Sequence, residues 1–436
     1  MNRIRTSEVG NHIGESVSLQ GWLHNLRHMG GIHFAVLRDG WGQSQAVSED
    51  ESDFGPLAEA PLESIVRLDG IVVETPQAPG GVEIHQPCFE LIEPAFEAPP
   101  IPLNKKQINA GLASILDNAV VVNRHPQRRA LFQLSAGVMA GFRAALQAKA
   151  FTEIQSPKIV ASATEGGANV FELGYFGRPA YLAQSPQFYK QIMVGVFERV
   201  YEVGPVFRAE SHDTSRHVNE YVSLDAEMGF IDNHFTVMAV VREVIDGIMT
   251  HLSQHQASSL TALEIDVPTV PPVIPHLHFQ EAQRLLQQAG EADGVYPEGE
   301  TDLSPAQERW LGAWAQEQYR SDFLFVTGYP MVKRPFYTHP VPGNSQFSNS
   351  FDLLFRGLEL VTGGQRLHRY QDYLTALEGH GLSREPFAAY LSAFKHGMPP
   401  HGGFAIGLER FITQLAGLPN LKLATLFPRD LKRLEP

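Results

Sequence analysis

Cysteine is almost absent from this chain of 436 residues, where Cys88 stands alone. One thiol excludes an internal disulfide and any zinc site built on several cysteines. The eighteen histidines contain no HExxH pair, which removes the helical zinc-hydrolase motif. Phosphate-cradling glycine motifs are missing as well. There is no GxxxxGK[ST] loop, and "GGFAIG" has glycines without the spacing of a dinucleotide fingerprint. No apolar run reaches the length of a membrane span. The first residues, "MNRIRTSEVGNHIGESVSLQ", lack the apolar stretch of a secretory leader. These absences predict a cytoplasmic protein with no membrane partner and no structural metal. A nucleotide, if bound, must be held by charged side chains on a sheet.

Positive charge is also scarce. The net charge is −14, and residues 1–104 hold five arginines and no lysine against fifteen acids. Phosphate affinity grows with the number of basic contacts, so such a region must read a nucleic acid mainly through its bases.

What is present has the makeup of a globular protein, 43% hydrophobic and 19% charged. The length predicts two or three domains. Residues 1–93 hold short strand-like runs, "SVSLQGWLHNL", "GIHFAVLRDG", "SQAVS", "SIVRLDGIVVE" and "GVEIHQPCFELIE", punctuated by Gly30-Gly31, Asp39-Gly40 and Pro79-Gly80-Gly81. Five strands, with "DFGPLAEAP" between the third and fourth, suit a closed barrel of the oligonucleotide-binding type. Another small barrel or a sandwich fits the same pattern. The proline-rich "EPAFEAPPIPLN" reads as a semi-rigid linker. Beyond it, "HPQRRALFQLSAGVMAGFRAALQAKA" is a long helix opened by proline, and "FTEIQSPKIV" a strand. Helices are expected near 234–256, 279–289, 305–319, 383–394 and 407–416, and strands near 199–207, 220–230, 322–328 and 351–361. The domains expected are 1–97, a linker over 98–125, and 126–436.

One loop carries unusual charge. "FRAESHDTSRH", residues 207–217, places two arginines, two histidines and two acids between apolar strands. The full run "RVYEVGPVFRAESHDTSRHVNEYVSLDAEMGFI" resembles motif 2 of class II aminoacyl-tRNA synthetases, in the form shared by the aspartyl, asparaginyl and lysyl subgroup. The long helix with "FTEIQSPKIV" is similar to motif 1, with Pro157 at its proline. "GGFAIGLERFITQLAGLPNLKLATLFPRD" is similar to motif 3, "TEGGANVF" and "YLAQSPQFYKQ" to amino-acid-pocket segments, and "SNSFDLLFRGLELVTGGQRLHRY" to the segment with a metal-binding glutamate and a substrate arginine. The resemblance covers nearly the whole chain. It implies an α+β protein: a five-stranded OB-fold anticodon-binding barrel, then a class II catalytic domain on an antiparallel sheet flanked by helices.

The resemblance also implies roles. Arg208 meets both the substrate carboxylate and the ATP α-phosphate through its fork of donors; taken alone, it would be a surface ion pair with Glu202 or Glu210. Glu210 reads the adenine amino group, Arg216 and His217 sit by the outer phosphates, and Tyr221 stacks beneath adenine. Val218, Gly407, Leu408 and Glu409 complete the ATP set, with Arg410 stacking over adenine and reaching the γ-phosphate. Glu359 and Thr362, a helical-turn-like step apart, hold Mg²⁺; Glu359 alone could pair with Arg356. Lys190 and Arg366 grip the aspartate β-carboxylate, while Glu165 and Gln187 hold its ammonium. A neutral asparagine would leave the two cations unpaired, so aspartate is the expected substrate.

The barrel should stack unpaired anticodon bases on Phe34 and Arg27, with Gln45 as a hydrogen-bonding group. The chain lacks the large insertion of the common bacterial aspartyl enzymes and resembles the archaeal type. His28, expected in the first-hairpin loop, and Pro79, in a later loop, point to relaxed reading of the third anticodon base. The expectation is therefore aspartylation of tRNA(Asp) and tRNA(Asn), with a functional link to a tRNA-dependent amidotransferase. Motif 1 implies a homodimer. The competing readings are an asparaginyl-tRNA synthetase, a tRNA-independent asparagine synthetase, and a non-catalytic tRNA-binding paralogue.

Overall fold

The computed structural model describes residues 3–161, 169–293 and 301–435. Its internal contacts divide the chain into two units, 1–128 and 129–436. The first unit holds β1 (Ser16–Met29), β2 (Ile32–Arg38), β3 (Gln43–Ser48), β4 (Ile65–Glu74) and β5 (Val82–Glu93). They close into a barrel in the order β1-β2-β3-β5-β4. Alternation does the folding work: β4 turns Val66, Leu68 and Val72 inward, each fully buried, and its other side chains outward. The segment after β3 forms a 3₁₀ turn over Glu51–Leu57 that puts Phe54 and Leu57 into the barrel core. Gly30 and Gly31 make the β1–β2 turn, both with positive φ. His28 is thus not in a loop; it lies in the last stretch of β1 and pairs with His33 on β2. Residues 94–104 form neither helix nor strand, and two short helices follow, α1 (Leu112–Asp117) and α2 (Ala119–Val122).

Helix α3 (Pro126–Gln147) leads into the second unit, followed by β6 (Thr152–Glu153), β7 (Ile159–Val160), β8 (Glu172–Tyr175), β9 (Arg178–Leu182) and α4 (Gln187–Phe197). Next come β10 (Arg199–Phe207), β11 (Glu220–Gly229), α5 (His234–His255), α6 (Ala257–Ala262), β12 (His276–His278), α7 (Phe279–Asp293) and α8 (Pro305–Tyr319). The remaining elements are β13 (Phe323–Thr327), β14 (Pro340–Val341), β15 (Asn344–Ser348), β16 (Ser350–Phe355), β17 (Leu358–Gln365), α9 (Tyr370–Gly379), α10 (Ala388–Lys395), β18 (His401–Gly407) and α11 (Leu408–Leu415). Eight strands form one sheet, β12-β13-β16-β17-β18-β11-β10-β6, antiparallel except for its two outermost pairs. Side chains of α3 and α5, among them Phe142, Leu146, Val241, Ile245 and Ile248, share one core with Tyr201, Leu224 and Phe404 of the sheet. This is the expected α+β arrangement of barrel and helix-flanked sheet. Among the described residues no helix is long and apolar enough to cross a membrane.

The structure departs from the local expectations at several points. "FTEIQSPKIV" gives two separate two-residue strands around Pro157, which cannot donate to a ladder. The strand expected over 351–361 is a hairpin that turns at Arg356 and Gly357, with φ of 48° and 75°. Helices α4 and α9 were not anticipated; in α4, "QFYKQIMVGVF" is a short apolar run whose period does not separate helix from strand. The expected helix over 383–394 is a 3₁₀ turn, Glu385–Phe387, running into α10. "GGFAIG", read only for its glycine spacing, is the inner strand β18.

Candidate active site

The β10–β11 hairpin pairs Phe207 with Glu220, and the charged loop begins one residue later. Asn219 closes its neck: its Nδ2 donates to the Arg208 carbonyl (2.8 Å) and the Glu210 carbonyl (3.1 Å), and its own carbonyl accepts from the Arg208 amide (2.9 Å). At the tip, Lys422 Nζ donates to Asp213 at 2.6 Å. A loop fixed at both ends holds its charges at low reorganisation cost. The Arg208 guanidinium, 38% exposed, lies 3.9 Å from Glu210 and 5.7 Å from the centre of the Tyr221 ring. Glu202, the other partner considered for Arg208, is buried and held by Ser156 and Lys158. His217 Nε2 stands 3.6 Å from Glu210; burial pushes the imidazole down, against the raising effect of Glu210. His212 is exposed.

Glu359 and Thr362 share a face through a bulge, not a helical turn. On a regular strand, residues three apart point to opposite faces. Here the register steps from Leu353↔Val361 to Leu354↔Glu359, so one extra residue on β17 restores the phase. Glu359 pairs with Arg410 at 3.3 Å, not with Arg356, which faces Asp322. Sequence reasoning missed Asp352. It is buried on β16, accepts the Thr362 hydroxyl, and is pushed up to about 7 by burial and by the Glu359 charge. A lone acid in the otherwise apolar "SFDLLF" was the available signal. Two carboxylates sharing a site suit a divalent ion, since one would relieve their repulsion.

These residues surround a cavity of about 200 Å³. It is lined by Arg208, Glu210, Arg216, His217, Val218, Tyr221, Glu359, Thr362, Gly407, Glu409 and Arg410 from the expected set. Ser223, Leu360, Ala405 and Leu421 were not foreseen. Leu408 is not among the lining residues; it packs in the main core. Glu409 is buried, accepts the Val222 amide at 3.1 Å, and is pushed up to about 7 by burial. Glu308, on α8, accepts from Arg216 (3.4 Å) and from the Glu359 amide (3.2 Å). Burial and the Glu359 charge raise its carboxyl.

Lys190, Arg366 and Gln187 do not line this cavity; they belong to a buried network beside it. Lys190 Nζ lies 2.9 Å from Asp225 and 3.4 Å from Glu227, and Arg366 Nε lies 3.0 Å from Glu227. Ser223, on the cavity wall, donates to Asp225 and so joins the two. Burial pushes Glu227 up, but Arg366 and Lys190 outweigh it and hold it below the usual range. This corrects the charge argument for aspartate: both cations already have carboxylate partners, so a neutral ligand would not strand them. Gln187 donates to Gln191, whose Nε2 in turn donates to the Tyr373 hydroxyl and to His401 Nε2. Glu165 lies outside the described residues.

His401 offers a pH test. Its Nδ1 donates to the Pro399 carbonyl at 2.9 Å, which leaves Nε2 as the acceptor from Gln191. Burial pushes its pKa down to about 4. Protonation then favours the unfolded chain, so the contribution is complete above about 6.5 and is lost as pH falls towards 4, by roughly 3 kcal/mol at most. A urea-denaturation series should show that acid limb partly flattened in His401→Gln. Flattening is partial because His234, also pushed down to about 4, acts in the same direction.

A family model described as tRNA synthetases class II (D, K and N) matches residues 113–431, and one described as an OB-fold nucleic acid binding domain matches 17–92. The chain belongs to the class II tRNA synthetases. It is 45% identical over 434 residues to the aspartate–tRNA(Asp/Asn) ligase of Thermus thermophilus, covering all of both chains. It is 44% identical over 441 residues to the ligase of the same name from Deinococcus radiodurans, covering 100% of this chain and 99% of that one. Among solved structures, the asparaginyl-tRNA synthetase of Pyrococcus horikoshii complexed with asparaginyl-adenylate superposes with a TM-score of 0.91 at 30% identity, with both chains fully covered. Enzymes of this class use ATP with a divalent metal.

The barrel of the synthetase groups three of its expected residues. Arg27 donates to Gln45 at 2.5 Å and lies 5.8 Å from the Phe34 ring centre; Gln45 in turn donates to Glu83 at 2.7 Å. Phe34 is not a barrel-core residue: it faces an open groove of about 960 Å³, beside Val47 and His85. Gln45 is buried, with its amide fixed between Arg27 and Glu83, and is not a loose surface group. His28 is exposed and touches His33 edge-on, and Pro79 opens the 3₁₀ turn between β4 and β5. Phe34→Ala should raise the KM for tRNA by roughly tenfold, the loss of one stacked base, while leaving tRNA-free ATP–pyrophosphate exchange intact.

Proposed function

We propose that this synthetase activates L-aspartate with ATP and charges both tRNA(Asp) and tRNA(Asn). Aspartate–tRNA ligase activity is the constant part of that reading. The observation that carries it is full-length identity of 44–45% to two ligases named for both tRNAs. The asparaginyl alternative is not favoured, because the likeness to such an enzyme is at 30% identity. The joint presence of Arg208, Glu359 and Arg410 around one cavity argues against a non-catalytic paralogue.

In the proposed mechanism the aspartate α-carboxylate oxygen attacks the ATP α-phosphorus. The new P–O bond forms as the bond to the β-phosphate bridge breaks, and pyrophosphate departs. Arg208 orients the attacking carboxylate against the α-phosphate; Arg216, His217 and Arg410 take the outer phosphates. Glu210 and Tyr221 hold adenine, with Val218, Gly407 and Glu409 shaping its walls. Glu359 and Thr362, with Asp352 behind them, would hold Mg²⁺, which would neutralise phosphate charge. Glu165, Gln187, Lys190 and Arg366 are assigned to aspartate, Lys190 and Arg366 as a charge-balanced frame for its side chain. The tRNA 3′-hydroxyl then displaces AMP from the adenylate.

The division proposed for the chain is an anticodon-binding domain over 1–97, a linker over 98–125 and a catalytic domain over 126–436. Arg27, His28, Phe34, Gln45 and Pro79 read the anticodon, and the enzyme acts as a cytoplasmic homodimer. Aspartyl-tRNA(Asn) requires an amidotransferase to become useful, which makes such an enzyme a functional partner. Charging assays with the two purified transcripts test the reading. Comparable kcat/KM for both is expected; strong preference for tRNA(Asp) would overturn the dual specificity, and exchange supported by asparagine alone would overturn the substrate.

A further inference from the structure

Away from the nucleotide cavity, a hollow of about 680 Å³ opens where α5 begins, beside the ends of β13 and β17. No residue of its lining has a part in the reaction described above. Buried polar atoms in its wall lack protein partners. His234 is only 8% exposed, and its Nδ1 makes no hydrogen bond among the described residues. Asn349 and Gln365, 5% and 6% exposed, share one contact, Asn349 Nδ2 donating to Gln365 Oε1 at 2.8 Å. That leaves the Asn349 side-chain oxygen and Gln365 Nε2 without a protein partner among the described residues. Buried polar atoms are nearly always bonded, so several open ones around one hollow mark a place that a ligand completes.

Two further donors face the same space. The Gln280 amide donates to His278 Nδ1 at 3.2 Å, which puts the ring proton on Nε2, beside Gly328. A Cβ on Gly328 would overlap that ring, and its φ of 70° also favours glycine. Arg369 is exposed and makes no ion pair among the described residues. Asp232, itself exposed, is the only acid among the described lining residues. The positive end of the 22-residue α5 also lies here, although Asn233 already takes the Phe235 amide at 2.9 Å. Apolar groups complete the wall. Phe235 is 47% exposed, with its ring fixed 4.2 Å from that of His234 and edge-on to His276 at 5.8 Å. Val341, Pro342 and Pro400 line the same hollow. An anion alone would leave that apolar surface uncovered.

We propose that this hollow binds a nucleoside phosphate, at a place separate from the ATP cavity. Arg369 and His278 Nε2 take the phosphate oxygens through charge-assisted and neutral hydrogen bonds. The base stacks on the exposed Phe235 ring, and the Asn349–Gln365 pair offers one acceptor and one donor to its edge. The occupant is a free mononucleotide or one unpaired nucleotide of an RNA, since both present this chemistry.

The test uses the full-length enzyme with its active site filled by a non-hydrolysable aspartyl-adenylate analogue. Calorimetric titration with 5′-AMP should show one AMP binding per chain to this complex. Arg369→Gln should weaken it at least about tenfold, the loss of a charge-assisted contact. Phe235→Ala should weaken it by roughly tenfold, the loss of one stacked base. Both side chains are exposed, so both variants keep the fold. Inorganic phosphate should bind more weakly than AMP and should respond to Arg369→Gln but not to Phe235→Ala. Phosphate binding as tight as that of AMP, with Phe235→Ala silent for both, would overturn the nucleoside assignment. Displacement of AMP by uncharged tRNA supports an RNA nucleotide as the occupant, and its absence supports a free mononucleotide. No AMP binding, or equal binding by parent and variants, overturns the site. Affinity for the analogue is measured first, and its absence in the parent would count against the aspartyl reading instead.

Discussion

Replacing Arg208 with glutamine is expected to lower the rate of aspartyl-adenylate formation by roughly a hundred- to a thousandfold, with little change in melting temperature. The side chain is 38% exposed and lies 3.9 Å from Glu210, a partly exposed pair that contributes little to folding. Its value lies in where charge develops. An attack on the α-phosphate crowds two anions together, and the Asn219-clamped loop holds a guanidinium there before substrate arrives. Arg208→Lys keeps the charge but not the planar fork, so it should recover only a small part of the loss. ATP–pyrophosphate exchange at saturating ATP and aspartate reads the effect directly. An Arg208→Gln enzyme within about threefold of the parent would remove this residue from the chemistry and leave the clamp as a structural feature.

Much of that site could be read from the chain because its residues are close in sequence. The loop 207–217 and its flanking strands form one hairpin, so the motif 2 resemblance, carried by one continuous run, names Arg208, Glu210, His217 and Tyr221 together. The barrel was readable for a similar reason: alternation of period two and glycine turns are local signals, and β4 obeys them strictly. The losses came where distant segments meet. Asp352 and Glu308 reach the site only because β16 and α8 lie beside β17, a relation no local pattern encodes. The bulge that turns Glu359 and Thr362 to one face is a single extra residue in a ladder, invisible without the partner strand. The glycines of β18 carry no local strand signal; Gly403 is small because the Glu227 carboxylate occupies the space a Cβ would need. Charge balance misled most. Lys190 and Arg366 were read as cations awaiting a ligand, whereas Asp225 and Glu227 come from the strand opposite and already meet them.

That balance gives the second large expectation. Lys190→Met should cost about 3–5 kcal/mol of stability at neutral pH, because it leaves Asp225 and Glu227 buried with one cation between them. The loss should shrink as pH falls, since Glu227, held down by Arg366 and Lys190 in the parent, loses one of those cations, and its protonation removes the uncompensated charge. Aspartate activation should fall by at least about a hundredfold if Lys190 frames the substrate carboxylate. Those two effects have separate origins, and a second variant divides them. In Lys190→Met/Asp225→Asn the number of buried charges is balanced again, so stability should return while activity does not. If activity returned with stability, Lys190 would be only a structural counter-ion and the basis of amino-acid choice would have to lie elsewhere in the network, at Arg366 and Gln187. If neither returned, the Ser223–Asp225 contact that joins the network to the nucleotide cavity would be the essential element. Denaturation curves and aspartate-dependent exchange, measured on the same three proteins across pH 5 to 8, distinguish these outcomes.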